Sequence, residues 1–210
     1  MTIARHQLLQ SELIPVSDIL FPEYGKASSK NYAAVLVPLM LINDEWHLLL
    51  TLRSEGLRLH GGEVAFPGGM WEEGDTSPIA TALRETEEEI ALPISKAKVL
   101  GGLEELETRR LTRVRPIVAI IPNDVPLNGN VGEIESIFTV PLSFFKQDKR
   151  LRTDIFTRYL QKKLHKHWVP AYQFDQYEIW GFTAAVIVQL MNRCFLADLT
   201  RENSAPEKIW

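Results

Sequence analysis

Four glutamates, Glu85, Glu87, Glu88 and Glu89, follow Arg84 within a single stretch, RETEEE, a short distance behind the pair Gly68-Gly69. On a helix each residue advances by about 100°. Relative to Glu85, Glu88 then falls near roughly −60° and Glu89 near roughly +40°, so three carboxylates share an arc of about 100°. Ile79, Ala82, Leu83, Thr86 and Ile90 occupy the adjoining sector, which is expected to be buried. The three carboxylates therefore sit at the edge of a packed face, while Glu87 points elsewhere, toward solvent. Like charges at helical spacing repel, and desolvation makes them worse unless a cation neutralises them. Hard divalent ions such as Mg²⁺ take oxygen ligands of this kind. A merely solvated glutamate face is the alternative that the arc alone leaves open.

The elements that must position this arc read as follows. YAAVLVPLMLI (32–42) and WHLLLTLR (46–53) are β-rich runs around Asn43-Asp44-Glu45, a hairpin pattern. A short extended piece, GEVAFP (62–67), closes on Gly68-Gly69, where a tight turn can bring backbone close to the site. Ser77 and Pro78 supply an N-cap and a first-turn proline for a helix over 78–90, and Pro93 follows its end. Strands are expected at 97–104, 113–121 and 136–141, a hairpin at 154–163 and 167–180, and a second, largely buried helix over 181–197. Strands interrupted by two helices indicate one mixed-sheet α/β or α+β domain.

Composition narrows the function classes. With 210 residues, 45% hydrophobic and 24% charged, the chain suits one sizeable domain. The net charge of −4 gives no global basic field, so nucleic acid is not the expected partner. Charge is nevertheless uneven: 85–107 is acid-rich, whereas 109–115 (RRLTRVR) and 146–166 are basic. The single Cys194 excludes an internal disulfide and fits a reducing compartment. No apolar run approaches ~18 residues and the N-terminus lacks a signal pattern, so a cytoplasmic protein with no membrane span is expected.

The stretch from Gly69 resembles the box of the Nudix hydrolase family, G-x5-E-x7-R-E-U-x-E-E-x-G-U with U apolar. Gly69 is its glycine and Arg84-Glu85-Thr86-Glu87-Glu88-Glu89 matches R-E-U-x-E-E, with Thr86 at the apolar position. Asp75 stands where the box has Glu, one extra residue precedes Arg84, and Ala91 replaces the last glycine. Upstream, LLTLRSEGLRLHGGEVAFPGG (49–69) is similar to the signature of the coenzyme A pyrophosphatase branch, L-L-T-x-R-[SA]-x3-R-x3-G-x3-F-P-G-G, with Arg53, Ser54, Arg58, Gly62 and Phe66-Pro67-Gly68-Gly69 in register. EIESIFTVPLSFF from Glu133 and the stretch around Trp180-Gly181 resemble further segments of that branch. Thr108 to Pro116, TRRLTRVRP, departs from the branch's T-x-T-G-F-x-V-x-P and leaves substrate choice open.

The resemblance implies an α/β (α+β) Nudix fold, a mixed β-sheet flanked by helices whose box helix carries the metal site. It would comprise a peripheral segment 1–30, one domain over 31–197 and a tail over 198–210. It also implies hydrolysis of a nucleoside diphosphate with Mg²⁺ or Mn²⁺. Glu85 and Glu89 are then the best metal ligands, Glu88 a further ligand or a water-orienting base, and Arg84 a clamp on a box carboxylate. Glu133 is a base, an extra ligand or a plain surface glutamate. Arg53, Arg58, Gly68, Gly69 and, from the 109–115 cluster, Arg113 are the candidate substrate contacts; His60 reads as structural. Trp168, Tyr172, Phe174, Tyr177 and Trp180 read as hairpin core before adenine platform. The implied substrate is coenzyme A or acyl-CoA. The alternatives are ADP-ribose, dinucleotides or capped RNA, or a nucleotide sensor without catalysis. A homodimer is left open.

Overall fold

The computed structural model describes residues 9–20, 31–160 and 163–210. Tyr32–Ile42 (β1) and Glu45–Arg53 (β2) form the expected hairpin, with Asn43 and Asp44 at φ of 49° and 63°. Two successive positive φ values match the twist of the flanking strands, and Asn and Asp tolerate them. The hairpin stays paired only from Leu39↔Leu48 to Ile42↔Glu45. Beyond that the strands fork: Val64–Ala65 (β3) joins β2, Gly68–Met70 (β4) joins β1, and Phe66-Pro67 crosses between them. Gly68 and Gly69 are thus strand residues opposite Val35 and Ala34, not the closing turn the sequence suggested.

Lys98–Gly102 (β5), Leu106–Glu107 (β6), Arg113–Ile120 (β7) and Ile134–Pro141 (β8) complete an eight-stranded mixed sheet. In it β1 runs parallel to β7 from Tyr32↔Arg113 to Leu39↔Ile120, and β8 covers the outer edge of β2. Among the described residues, helical residues 9–11 precede the sheet, and within and after it lie the α-helices Pro78–Ile90 (α1), Leu142–Lys146 (α2) and Gly181–Phe195 (α3). A second sheet contains Arg152–Leu160 (β9), Lys163–Phe174 (β10), Tyr177–Ile179 (β11) and Glu207–Ile209 (β12), in the order β11-β10-β9-β12.

Strand alternation sets the layers. Ala34, Leu36, Met40 and Leu49 pack with Ala82 and Ile90 of α1 on one face. Val37, Leu39, Leu48 and Leu50 pack with Val186, Ile187 and Leu190 of α3 and with Tyr172 on the other. Both faces of the central strands are covered, which is why β1 reads as a nearly unbroken apolar run. Ser77 caps α1 by accepting from Ala80 N at 3.1 Å, with Pro78 in the first turn. Its far end leaves carbonyls without helical partners. The loop before β8 satisfies two of them: Asn130 N donates to Glu89 O (2.8 Å) and Asn128 N to Ile90 O (3.0 Å).

The segments expected outside the domain pack onto it. Leu9, Leu13 and Ile19 are buried, and Ile14 bridges to Gly102, because β5 and α3 leave an apolar flank that needs cover. Residues 1–8 and 21–30, and the 161–162 turn of the expected second hairpin, lie outside the described residues. The tail supplies β12, parallel to β9. The strand expected over 167–180 is split at Asp175, whose φ is 50°, into β10 and β11. Among the described residues no helix is long and apolar enough to cross a membrane.

Candidate active site

The fork in the sheet places the glycine strand against α1. Glu89, expected at the edge of the buried face, is inside it, only 3% exposed. One carboxylate oxygen accepts from Gly68 N at 3.0 Å and the other from the Arg53 guanidinium at 2.9 Å. Burial pushes the Glu89 carboxyl above its ordinary range; the Gly68 N–H and Arg53 pull it back, and the Glu133 carboxylate pushes it up again. Gly68 cannot be replaced in this position. Its φ is 149°, and a Cβ would lie 2.4 Å from Ala34 O and 2.5 Å from Val35 Cα.

Glu85 stands one turn earlier, over Gly69. A Cβ on Gly69 would fall 2.4 Å from Glu85 Cδ, so the missing side chain is the space the carboxylate occupies. Burial raises the Glu85 carboxyl to about 7 despite Arg84, with Glu89 and Glu88 adding repulsion. Arg84 is the organiser of this end. It donates from Nε and Nη2 to both oxygens of Asp75 (3.1 and 3.0 Å) and from Nη2 to Met70 O (3.1 Å). Its Nη1 lies 3.1 Å from both Glu85 and Glu88. Burial works against the charge of Asp75, yet Arg84, the Glu72 N–H and the Thr81 hydroxyl outweigh it and hold this carboxyl below its ordinary value. Asp75 is thus the main anchor of Arg84, so the Asp that departs from the box keeps an acidic partner for the arginine. Thr86, the imperfect apolar position, is buried and returns its hydroxyl to Ala82 O at 2.6 Å.

The other expected residues divide. Glu88 is exposed at the rim, tethered to Arg84 instead of facing inward with Glu85 and Glu89. Glu87 is exposed too, as expected, and its carboxylate accepts from Ile94 N at 3.3 Å. Glu133 is half-buried, in the turn before β8, where Ser54 N donates to its carbonyl at 2.8 Å. Arg58 is exposed in the loop after β2, and His60, at φ 58°, pairs with Glu63. Arg113 and Arg115 do share one strand face, and both are neutralised by Glu105, with Arg113 also donating to the Tyr32 hydroxyl. Arg109 and Arg110 lie in the exposed turn between β6 and β7. Tyr172 and Phe174 are core rings, and Tyr177 stacks on Phe138 at 3.7 Å. The sequence reading missed Glu105 as the partner of both arginines; the i, i+2 spacing of Arg113 and Arg115 was the available signal.

Among the described residues no three His, Cys, Asp or Glu side chains converge closely enough to hold a metal ion in this arrangement. The donors nevertheless fit a hard dication. Glu85 and Glu89 offer only oxygen, both are driven toward protonation by burial, and two guanidinium groups supply the positive charge they require.

Residues 31–160 match the model of the NUDIX domain. An uncharacterized Nudix hydrolase NudL of Yersinia enterocolitica is 40% identical over 182 residues, 86% of this chain and 90% of that protein. An Escherichia coli NudL, also an uncharacterized Nudix hydrolase, is 42% identical over 174 residues, covering 82% and 88%. A MutT/nudix family protein of Enterococcus faecalis aligns over 82% of this chain and 64% of its own at 17% identity, with a TM-score of 0.49. A glycine strand seated under two glutamates of one helix, within a matched domain and alongside relatives of this similarity, places the chain in the Nudix hydrolase family.

Proposed function

We propose that this Nudix hydrolase cleaves the diphosphate of coenzyme A or an acyl-CoA, giving adenosine 3′,5′-bisphosphate and (acyl-)phosphopantetheine. The observation that carries the reading is that Arg53 and Gly68, from the upstream signature, both bond to Glu89 of the box, so the two motifs build one site. Glu85 and Glu89, with Glu88 at the rim, would hold Mg²⁺ or Mn²⁺. That ion, when bound, neutralises the diphosphate and acidifies water. Arg53, bonded to Glu89 here, would also be within reach of a phosphate oxygen, and Arg58 would add a second cation from its loop. Glu133 takes the proton of the attacking water; water oxygen bonds to phosphorus, the bridging P–O bond breaks, and the departing phosphate keeps the electron pair. A cavity of about 550 Å³ is lined by Ser54, which follows Arg53, and by Leu127, Ile134, Glu135, Ser136 and Ile137 among others. Its lining has no basic residue and one acidic one, Glu135, which suits the uncharged pantetheine or acyl arm better than a phosphate.

The test compares kcat/KM for CoA, 3′-dephospho-CoA and ADP-ribose with Mg²⁺. A desolvated charge-assisted contact to the extra phosphate gives CoA a preference of roughly ten- to a hundredfold over its dephospho form. Faster cleavage of ADP-ribose than of CoA would overturn the reading.

A further inference from the structure

A cluster on the second sheet has no part in the chemistry above. β12 runs parallel to β9, with Ile209 opposite Ile155, and Trp210 N donates to Ile155 O at 2.9 Å. This sets the Trp210 indole against two further rings. It stacks on Phe156 with centroids 6.2 Å apart and planes at 21°, and on Trp180 at 6.0 Å and 19°. Two cations converge on the same rings. Lys208 Nζ lies 3.7 Å from the Trp210 centroid, and the Arg109 guanidinium lies 4.4 Å from Phe156 and 5.7 Å from Trp210. Among the described residues neither cation has a carboxylate partner, whereas Arg53, Arg84, Arg113 and Arg115 each do.

Two short relays of hydrogen bonds tie the elements that carry the cluster to those that carry the glycine strand. Trp180 precedes α3, whose Thr183 hydroxyl donates to Val64 O at 2.9 Å, and Val64 leads through Phe66 into Gly68. Arg109 sits in the turn before β7; at the start of that strand Arg113 reaches Tyr32, whose carbonyl accepts from Trp71 N just beyond β4.

We propose that Trp210, Trp180 and Phe156, with Arg109 and Lys208, form a subsite for a purine nucleotide that carries a phosphate monoester. The base stacks on an indole face, and the phosphate dianion draws the two unneutralised cations from the rings. Phe156 and Trp180 are half-buried and Trp210 is 43% exposed; two like charges gathered on this open ring without an anion are a poor structural device but a good receptor for one. The inference rests on the diphosphate hydrolysis proposed above and assigns the nucleotide half of that substrate to the second sheet.

Binding is tested apart from turnover, by calorimetric titration of the full chain in EDTA with adenosine 3′,5′-bisphosphate, adenosine and inorganic phosphate. The bisphosphate is expected to bind more tightly than either fragment. Trp210→Ala should weaken it about tenfold or more, and Trp210→Phe should retain most of the affinity. Lys208→Gln and Arg109→Gln should each weaken the bisphosphate by about five- to tenfold while leaving adenosine unchanged. Trp210→Ala could release β12, so the two Gln variants, with thermal melting alongside, separate recognition from folding. Unchanged bisphosphate affinity in Lys208→Gln and Arg109→Gln would overturn the subsite and leave the cluster as a strap for β12. Bisphosphate binding as expected with no cleavage of CoA would sink the hydrolysis reading alone. CoA cleavage with an unchanged KM in both Gln variants would sink the subsite alone.

Discussion

Gly69→Ala isolates the positioning of one carboxylate. The added Cβ would stand 2.4 Å from Glu85 Cδ and 2.5 and 2.6 Å from its oxygens, where ordinary contact begins near 3.4 Å. Glu85 must retreat by about 1 Å, which its flexible side chain allows without moving backbone. The fold should lose little: the clash is with a side-chain end, and Gly→Ala also restricts the unfolded chain, so stability stays within about 1 kcal/mol of wild type. Activity should not survive as well, because a displacement of about 1 Å in a reacting constellation costs on the order of 10²-fold. Gly68→Ala is the contrasting control. Its Cβ would meet Ala34 O at 2.4 Å and Val35 Cα at 2.5 Å from a φ of 149°, so it should lose about 3 kcal/mol or more. Urea unfolding and metal-dependent turnover of the two variants check the distinction. Wild-type kcat/KM in Gly69→Ala, or equal destabilisation of both variants, would refute the assigned role of Gly69.

Three further outcomes are expected. Glu89→Gln keeps one of the two acceptors that Gly68 N–H and Arg53 use and removes a buried charge, so turnover should fall by about 10²-fold or more, while the lost acceptor and the relieved burial of charge offset each other and leave metal-free stability within about 1 kcal/mol. Ala91, which ends α1 in the left-handed region at φ 54°, should give about 0.5–1 kcal/mol on replacement by Gly, measured by urea unfolding. In EDTA the folded state keeps the Glu85 proton up to about 7, against 4.5 when unfolded. The fold therefore binds more protons between these values, and stability should decline as pH rises across that window, by at most about 3 kcal/mol. Glu85→Gln should flatten the decline in melting temperature.

The left-handed C-cap at Ala91 was not legible in the sequence, but the span of α1 and its N-cap were, because Ser77, Pro78 and the apolar spacing act locally. The β1–β2 hairpin was legible for the same reason. The fork was not: whether β3 and β4 separate β1 from β2 depends on tertiary pairing, and Gly68-Gly69 read as a turn until Val35 and Ala34 were seen opposite them. Helical angle placed Glu85, Glu88 and Glu89 together but could not say that α1 would roll far enough to bury Glu89 and leave Glu88 outside. That roll follows from the Gly68 N–H and Arg53, which lie far from Glu89 in sequence. The tail looked polar and peripheral because a three-residue edge strand has too little pattern to be read.

The most direct test is product analysis of coenzyme A incubated with the purified chain and Mg²⁺ or Mn²⁺, followed by chromatography with mass detection. Equimolar adenosine 3′,5′-bisphosphate and phosphopantetheine, lost in EDTA and in Glu89→Gln, is the predicted result. Intact CoA under conditions where ADP-ribose or another nucleoside diphosphate is consumed would contradict it.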